Sequence, residues 1–177
     1  MPVVARNWLR LPVVSAGAEY LVMGHLMRRN ILTYKAPQNN EGYDLICIHP
    51  DPRHHPSHRE AAQVRIQVKS RYATDCDRGF PVRAESLNAF DFLIIAFLNI
   101  GRFGGGRDGS DGEIDPEFYT LPRKFVQTHH CADSTWQKVR LGGATGEIEQ
   151  YKGSLGFELV AQRLGIHKPT RIQVQAI

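Results

Sequence analysis

The sequence predicts an α/β protein with one mixed β-sheet flanked by helices. Apolar residues first recur at helical spacing over about residues 15–29. Short segments typical of strands follow at 31–35, 43–49 and 62–70. Residues 90–99 are the most hydrophobic stretch, and their length and aromatic content favour a buried strand. With a short helix expected near 85–89, the predicted order of the core is αβββαβ.

The early elements have recognisable boundaries and faces. Ser15 is a residue type that caps helices, so the first helix is expected to begin there and to end near Arg29. The strand at 43–49 has apolar side chains on both faces, which favours a central position. The strand at 62–70 alternates apolar and polar residues. The residues expected to face the core are Ala18, Leu21, Val22 and Leu26 from the helix, and Val64, Ile66 and Val68 from the strand.

The second half of the chain adds further elements. An edge strand is predicted at 118–121, followed by a helix that starts with Pro122 in its first turn and reaches about His130. A last helix is predicted over 147–164, and residues 71–83 are expected to be irregular. The aromatic residues expected to anchor the core are Trp136 and Phe157.

Length and composition favour a single domain over residues 1–177, with 42% hydrophobic residues available for one core. We expect the core to span about 15–100 and a C-terminal extension to span about 114–177. No apolar run approaches the roughly 20 residues of a membrane-spanning helix. The N-terminal residues lack a signal-peptide pattern, and three widely spaced cysteines form no disulfide framework. These features predict a cytoplasmic protein without a membrane segment.

The net charge of +4 permits a nucleic-acid partner without requiring one. Basic residues accumulate in and after the third predicted strand, where they could contact phosphates or serve as ordinary surface charge. They are Arg65, Lys69, Arg71, Arg78 and Arg83.

Polar residues at the strand ends carry the candidate chemistry. Asp44 begins the second predicted strand, and Gln67 and Lys69 end the third on one face. If these strands are neighbours, a carboxylate, an amide oxygen and an ammonium group converge, which suits a hard divalent cation beside a positive charge. The Val68 carbonyl and Glu19, at the edge of the helical stripe, are further candidate ligands. Alternatively, the same residues form a solvated strand face and a turn.

These residues lie in three short motifs: Ala16-Gly-Ala-Glu19, Glu41-Gly-Tyr-Asp44-Leu and Gln67-Val-Lys69. Their order resembles the PD-(D/E)XK nuclease superfamily, which has the restriction-endonuclease-like fold, and its Holliday-junction-resolvase arrangement in particular. That family places a glutamate in an early helix, Gly-x-Asp at a strand start, and Glu-x-Lys or, in some branches, Gln-x-Lys at the end of a following strand. The resemblance covers about residues 15–100.

The resemblance implies an endonuclease that uses Mg²⁺ or Mn²⁺ to hydrolyse DNA, with RNA as the alternative substrate. Asp44, Gln67 and the Val68 carbonyl would bind the metal, Lys69 would be the catalytic lysine, and Glu19 would have an accessory acidic role. Nucleases of this type often pair to cut two strands, which would make the chain a homodimer.

Two features depart from the family pattern. Gln67 replaces the usual second acid, which predicts weaker metal binding, and the gap between Asp44 and Gln67 is longer than usual. The alternative function is therefore a catalytically inactive module of the same fold that binds nucleic acid or a protein partner.

Histidine groups provide a separate metal hypothesis. Imidazole is a common ligand of transition metals, so a zinc site in the proline-rich loop is an alternative. The glycine-rich segment 101–112 lacks the Gly-Lys-Ser/Thr ending of a phosphate-binding loop, and a hairpin tip is expected there. The candidate zinc ligands are His49, His54, His55 and His58, with His129, His130 and Cys131 as a second group.

Overall fold

Helices and strands follow one another in the order that the sequence predicts for the core. The computed structural model describes residues 11–37, 40–72, 79–100, 115–132, 136–142 and 144–167. Short 3-10 helices lie at Ala84–Asn88 and Glu149–Tyr151. The other elements are α1 (Leu11–Met27), β1 (Leu32–Lys35), β2 (Leu45–Ile48), β3 (Gln63–Arg71), β4 (Gly79–Pro81), β5 (Phe92–Phe97), β6 (Glu117–Pro122), α2 (Arg123–Thr128), β7 (His130–Cys131), β8 (Lys138–Arg140), α3 (Thr145–Ile148) and α4 (Gly153–Arg163).

A five-stranded mixed sheet in the order β1-β2-β3-β5-β6 organises the fold. Three of its four strand pairs are antiparallel, and β3 pairs with β5 in parallel. The predicted α/β class is confirmed, with β2 in an internal position and β6 at the edge. Residues of the expected C-terminal extension therefore complete the same sheet.

Both faces of the sheet are covered, which explains why β5 is apolar throughout. Phe92, Ile94 and Ala96 pack in a core with α1 and α4, whereas Leu93 and Ile95 pack in a second core on the opposite face. The first core also contains Ala18, Val22, Leu26, Val64, Ile66, Val68 and Phe157, as predicted.

The second core is covered by α2, α3 and a small sheet in the order β4-β8-β7. The expectation of irregular structure over residues 71–83 is wrong at β4, where Phe80 is buried in this core. Strands of two or three residues are too short to show a period of two, so sequence patterns do not reveal them. Residues 73–78 lie outside the described residues.

Several sequence-based boundaries and burials are wrong. The described part of helix α1 (Leu11–Met27) already includes residues ahead of Ser15, so Ser15 lies inside the helix instead of capping it. Pro122 is the N-cap of α2 instead of its first residue. Leu21 lies on the exposed side of α1, and Trp136 is exposed instead of anchoring a core.

The predicted last helix is interrupted. Residues Thr145–Ile148 and Gly153–Arg163 form separate helices, because Lys152 between them is extended and Gly153 begins the second helix with a φ of +52°. This left-handed conformation favours glycine and ends the regular helical hydrogen bonding. Across the described parts of the chain, no helix is long and apolar enough to cross a membrane.

Gly42 fixes the turn that leads into β2. Its φ is +93°, and a Cβ atom at this position would lie 2.3 Å from Cβ of Ala89. We therefore expect Gly42→Ala to lower the free energy of unfolding by more than about 2 kcal/mol, through backbone strain and steric overlap. Urea denaturation measures the change.

The matched control is Gly24→Ala, in the exposed part of α1, where an added Cβ meets no atom within 4 Å. That substitution should raise the free energy of unfolding by up to about 1 kcal/mol, since alanine is the better helix former. Equal effects of the two substitutions would contradict the assigned role of Gly42.

Candidate active site

The antiparallel pairing of β2 with β3 brings Asp44 next to the middle of β3, which continues to Arg71 beyond the predicted strand end. Leu45 pairs with Ile66, so Asp44 lies one step further along, opposite Gln67. The backbone N–H of Asp44 donates to the Ile66 carbonyl at 2.8 Å, and the Val68 N–H donates to Oδ2 of Asp44 at 2.6 Å. The strands are neighbours, as the sequence analysis required, and the Asp44 carboxylate reaches the Gln67-Val-Lys69 segment.

Gln67 has a buried oxygen without a hydrogen-bond donor. Its side chain is on the side of β3 opposite Val68, and the residue is only 8% exposed. Among the described residues, no donor lies within hydrogen-bonding distance of its Oε1 atom. Native proteins rarely leave such an atom unpaired, because burying it without a partner costs free energy. An amide oxygen is a ligand that Mg²⁺ accepts, so the residue fits a metal-binding role.

Burial raises the pKa of the Asp44 carboxyl, and the nearby Glu19 charge adds to that rise. The hydrogen bond from Val68 and the positive charges of Lys69 and Lys35 act in the opposite direction and only partly offset it. The carboxylate is therefore short of positive partners in the folded chain. A cation beside it would stabilise its ionised form.

Glu19 contacts a residue that the sequence analysis missed. Oε2 of Glu19 lies 2.5 Å from Nζ of Lys35, the last residue of β1. This hydrogen bond raises the pKa of the Lys35 ammonium, and the Asp44 charge contributes to the same shift. The register of β1 on β2 places Lys35 opposite Leu45, beside Asp44. The short, turn-rich connection between the strand that ends at Lys35 and the strand at 43–49 favours a hairpin, and this signal could have identified Lys35.

The four predicted residues and Lys35 thus occur at one end of the sheet. Glu19 and Asp44 carry negative charge, and Lys35 and Lys69 carry an equal positive charge. The protein by itself supplies no excess of negative charge at this position. A divalent cation held here would make the site positive toward a phosphate group.

A cleft of about 740 Å³ opens beside Gln67 and Lys69. This volume lies within the range of about 300–1,000 Å³ that is common for ligand sites. The cleft is bordered by one wall from the turn before β2 and another from the small sheet. Its lining residues are Glu41, Gly42, Gln67, Lys69, Pro81, Val82, Arg83, Ser86, Trp136 and Gln137.

The histidine loop is organised by contacts within itself. The His49 and His54 rings stack with centroids 3.9 Å apart, and Nδ1 of His49 accepts the Asp51 N–H at 3.1 Å. In the second group, Nε2 of His130 hydrogen-bonds to the Val82 carbonyl at 2.9 Å. The described residues contain no group of three or more His, Cys, Asp or Glu side chains that could hold a metal ion. The zinc hypothesis gains no support from them.

The basic residues predicted to accumulate around the third strand do not form one patch, because the described arginines among them contact different partners. Arg65 pairs with Asp91, the residue before β5, Arg71 donates to the Gly79 carbonyl, and Arg83 pairs with Glu85 at 3.3 Å. Of these arginines only Arg83 lines the cleft beside Lys69. Arg78 and the glycine-rich segment 101–112 lie outside the described residues.

The raised pKa of Asp44 predicts an unusual stability effect. Ionisation of Asp44 opposes folding above its folded-state pKa, and this penalty disappears as the pH falls below the ordinary carboxyl range. Asp44→Asn keeps an oxygen for the Val68 N–H, so it should raise the melting temperature at pH 7 in EDTA. The gain should shrink toward acid pH in calorimetry.

Asp51→Asn serves as the control, because hydrogen bonds from Arg53 lower the pKa of Asp51. This substitution should give no increase in melting temperature. A lower melting temperature for Asp44→Asn at pH 7 would show that the carboxylate stabilises the metal-free fold, contrary to the prediction.

Comparisons with known proteins support the fold. No protein-family model matches the sequence, and no curated protein matches it. Among solved structures, a bacterial homing endonuclease, I-Ssp6803I, is similar, with a TM-score of 0.51 and 16% sequence identity. The match covers 88% of this chain and 94% of that chain. The chain therefore shares the α/β fold of a nuclease structure, and its membership of the PD-(D/E)XK superfamily stays a prediction.

Proposed function

We propose that this protein is a nuclease that cleaves DNA with a bound Mg²⁺ or Mn²⁺ ion. The observation that carries the proposal is the buried Oε1 of Gln67, which has no hydrogen-bond donor among the described residues, beside the Asp44 carboxylate. Both groups are hard oxygen ligands, and Lys69 lines the adjoining cleft.

Asp44 and Gln67 would hold the ion through their side-chain oxygens, and the Val68 carbonyl would add a backbone ligand. The Val68 N–H already fixes Oδ2 of Asp44, and Oδ1 accepts no hydrogen bond from the described part of the chain. A bound divalent cation supplies Lewis-acid activation for hydrolysis of a phosphodiester.

Lys69 supplies the protein's own positive charge at the reacting phosphate. It shares the face of β3 with Gln67, two residues away, so its ammonium projects beside the same metal-binding position. There it orients the attacking water and offsets the charge that develops on the phosphate.

Glu19 acts through Lys35 in this proposal. The 2.5 Å ion pair holds the Lys35 ammonium near Asp44. Glu19 therefore positions the charge of Lys35 and does not itself coordinate the metal ion. Direct ligation by Glu19 would require this pair to open.

Three features favour DNA as the substrate. The chain carries a net charge of +4, the cleft holds Lys69 and Arg83, and the similar solved structure is a homing endonuclease. A homodimer would place two such sites on opposite strands. RNA is the alternative substrate, and the two are distinguished by comparing cleavage of matched oligonucleotides.

Metal binding at Gln67 is tested by changing its charge. Gln67→Glu should lower the melting temperature in EDTA, because a second buried carboxylate is added beside Asp44. It should also reduce the Mg²⁺ concentration for half-maximal thermal stabilisation by about tenfold or more, whereas Gln67→Ala should raise it by a similar factor.

The measurement is a melting curve at increasing MgCl₂ and MnCl₂ for the three proteins. Binding to the folded state must raise the melting temperature once the ion exceeds its dissociation constant. Identical titrations for wild type, Gln67→Glu and Gln67→Ala would contradict a metal site at this position.

Catalysis is tested at Lys69. Lys69→Ala should reduce the cleavage rate of labelled DNA by at least about 100-fold while leaving the melting temperature within about 2 °C, because the side chain is only partly buried. The matched control is Lys124→Ala on the exposed surface of α2, which should cleave at the wild-type rate.

Unchanged cleavage by Lys69→Ala would exclude the assigned catalytic role. Absence of cleavage by the wild type, together with no thermal shift in several millimolar Mg²⁺ or Mn²⁺, would favour an inactive binding module.

A further inference from the structure

One wall of the cleft is formed by residues 81–83 and 136–137, of which the nuclease proposal uses only the charge of Arg83. Oε1 of Gln137 accepts the Ala84 N–H at 2.7 Å, and its carbonyl accepts the Val82 N–H at 3.2 Å. These bonds tie the segment before β8 to the residues that follow β4. They hold Trp136 and Arg83 on the same side of the cleft.

Trp136 presents a large aromatic surface at this wall. The residue is 78% exposed, although tryptophan is usually well buried. It borders the same cleft as Gln67 and Lys69. Single exposed apolar residues are common, but this one borders the cleft in which the scissile phosphate is proposed to bind.

Arg83 adds an exposed positive charge to the same cleft. Its side chain is 76% exposed, and its surface ion pair with Glu85 is weak enough to exchange for a phosphate. An aromatic face and an arginine along one groove form the arrangement that binds unpaired nucleotides, by stacking and by charge.

We propose that Trp136 stacks on an unpaired nucleobase next to the scissile phosphate and that Arg83 contacts the neighbouring phosphate. In a paired duplex each base face is covered by its neighbours, so stacking on the indole requires an opened or single-stranded site. The inference rests on the proposed nuclease function and specifies its substrate class as DNA with unpaired bases at the cleavage position.

Binding is measured by fluorescence anisotropy in EDTA, in the Lys69→Ala background, to two labelled DNA duplexes. One contains an internal unpaired segment, and the other is fully paired. Trp136→Ala should weaken binding to the unpaired DNA by about 5- to 150-fold and Trp136→Phe by much less, since stacking accounts for the loss. Tyr34→Ala, an exposed aromatic residue outside the cleft lining, is the control and should bind normally.

The stacking itself has a spectroscopic signature. Trp8→Phe leaves Trp136 as the only tryptophan of the chain. The emission of that variant should be quenched by the unpaired DNA and much less by the same DNA with abasic residues in the unpaired segment. Equal binding by Trp136→Ala and wild type, or equal quenching by the abasic DNA, would overturn the subsite.

The two proposals fail in different ways. If Lys69→Ala abolishes cleavage but Trp136→Ala binds unpaired DNA normally, the nuclease assignment stands and the stacking subsite is wrong. If Trp136→Ala weakens binding but the wild type cleaves no DNA with Mg²⁺ or Mn²⁺, the subsite stands and the nuclease assignment is wrong.

Discussion

The hydrogen bond from the Val68 N–H to Oδ2 of Asp44 is the interaction on which the candidate site depends. It joins the residue before β2 to the interior of β3, at the point where the pairing of β2 with β3 stops. Gly42 allows the chain to turn into β2 so that Asp44 reaches β3, because its left-handed conformation packs directly against Ala89 and leaves no room for a side chain. The sheet therefore holds Asp44 rigidly beside Gln67, and a metal site built on it would be preorganised.

The same arrangement opposes the stability of the metal-free protein. Burial raises the pKa of Asp44, and Oε1 of Gln67 has no donor among the described residues. Each feature alone destabilises the fold, whereas a single divalent cation would stabilise the Asp44 carboxylate and give Oε1 of Gln67 a partner. The balance of charge among Glu19, Lys35, Asp44 and Lys69 points the same way, because the ion would leave the site positive toward phosphate.

Elements with strong periodicity were predictable from the sequence, and those fixed by tertiary contacts were not. The strand β3 alternates cleanly, so its core face and the shared face of Gln67 and Lys69 were predicted correctly. The small sheet was missed because its strands are too short to carry a pattern. Lys35 was missed because its role depends on the register of β1 against β2, and the exposure of Trp136 depends on how the segment around Gln137 is held.

The central claim is that one divalent cation binds between Asp44 and Gln67. Its most direct test is anomalous diffraction from crystals of the protein soaked in MnCl₂. The account predicts one strong peak about 2.1–2.3 Å from a carboxylate oxygen of Asp44 and from Oε1 of Gln67, which the Gln67→Ala variant loses. A peak that forms only at the histidine loop, or no peak between these two residues at millimolar Mn²⁺, would contradict it.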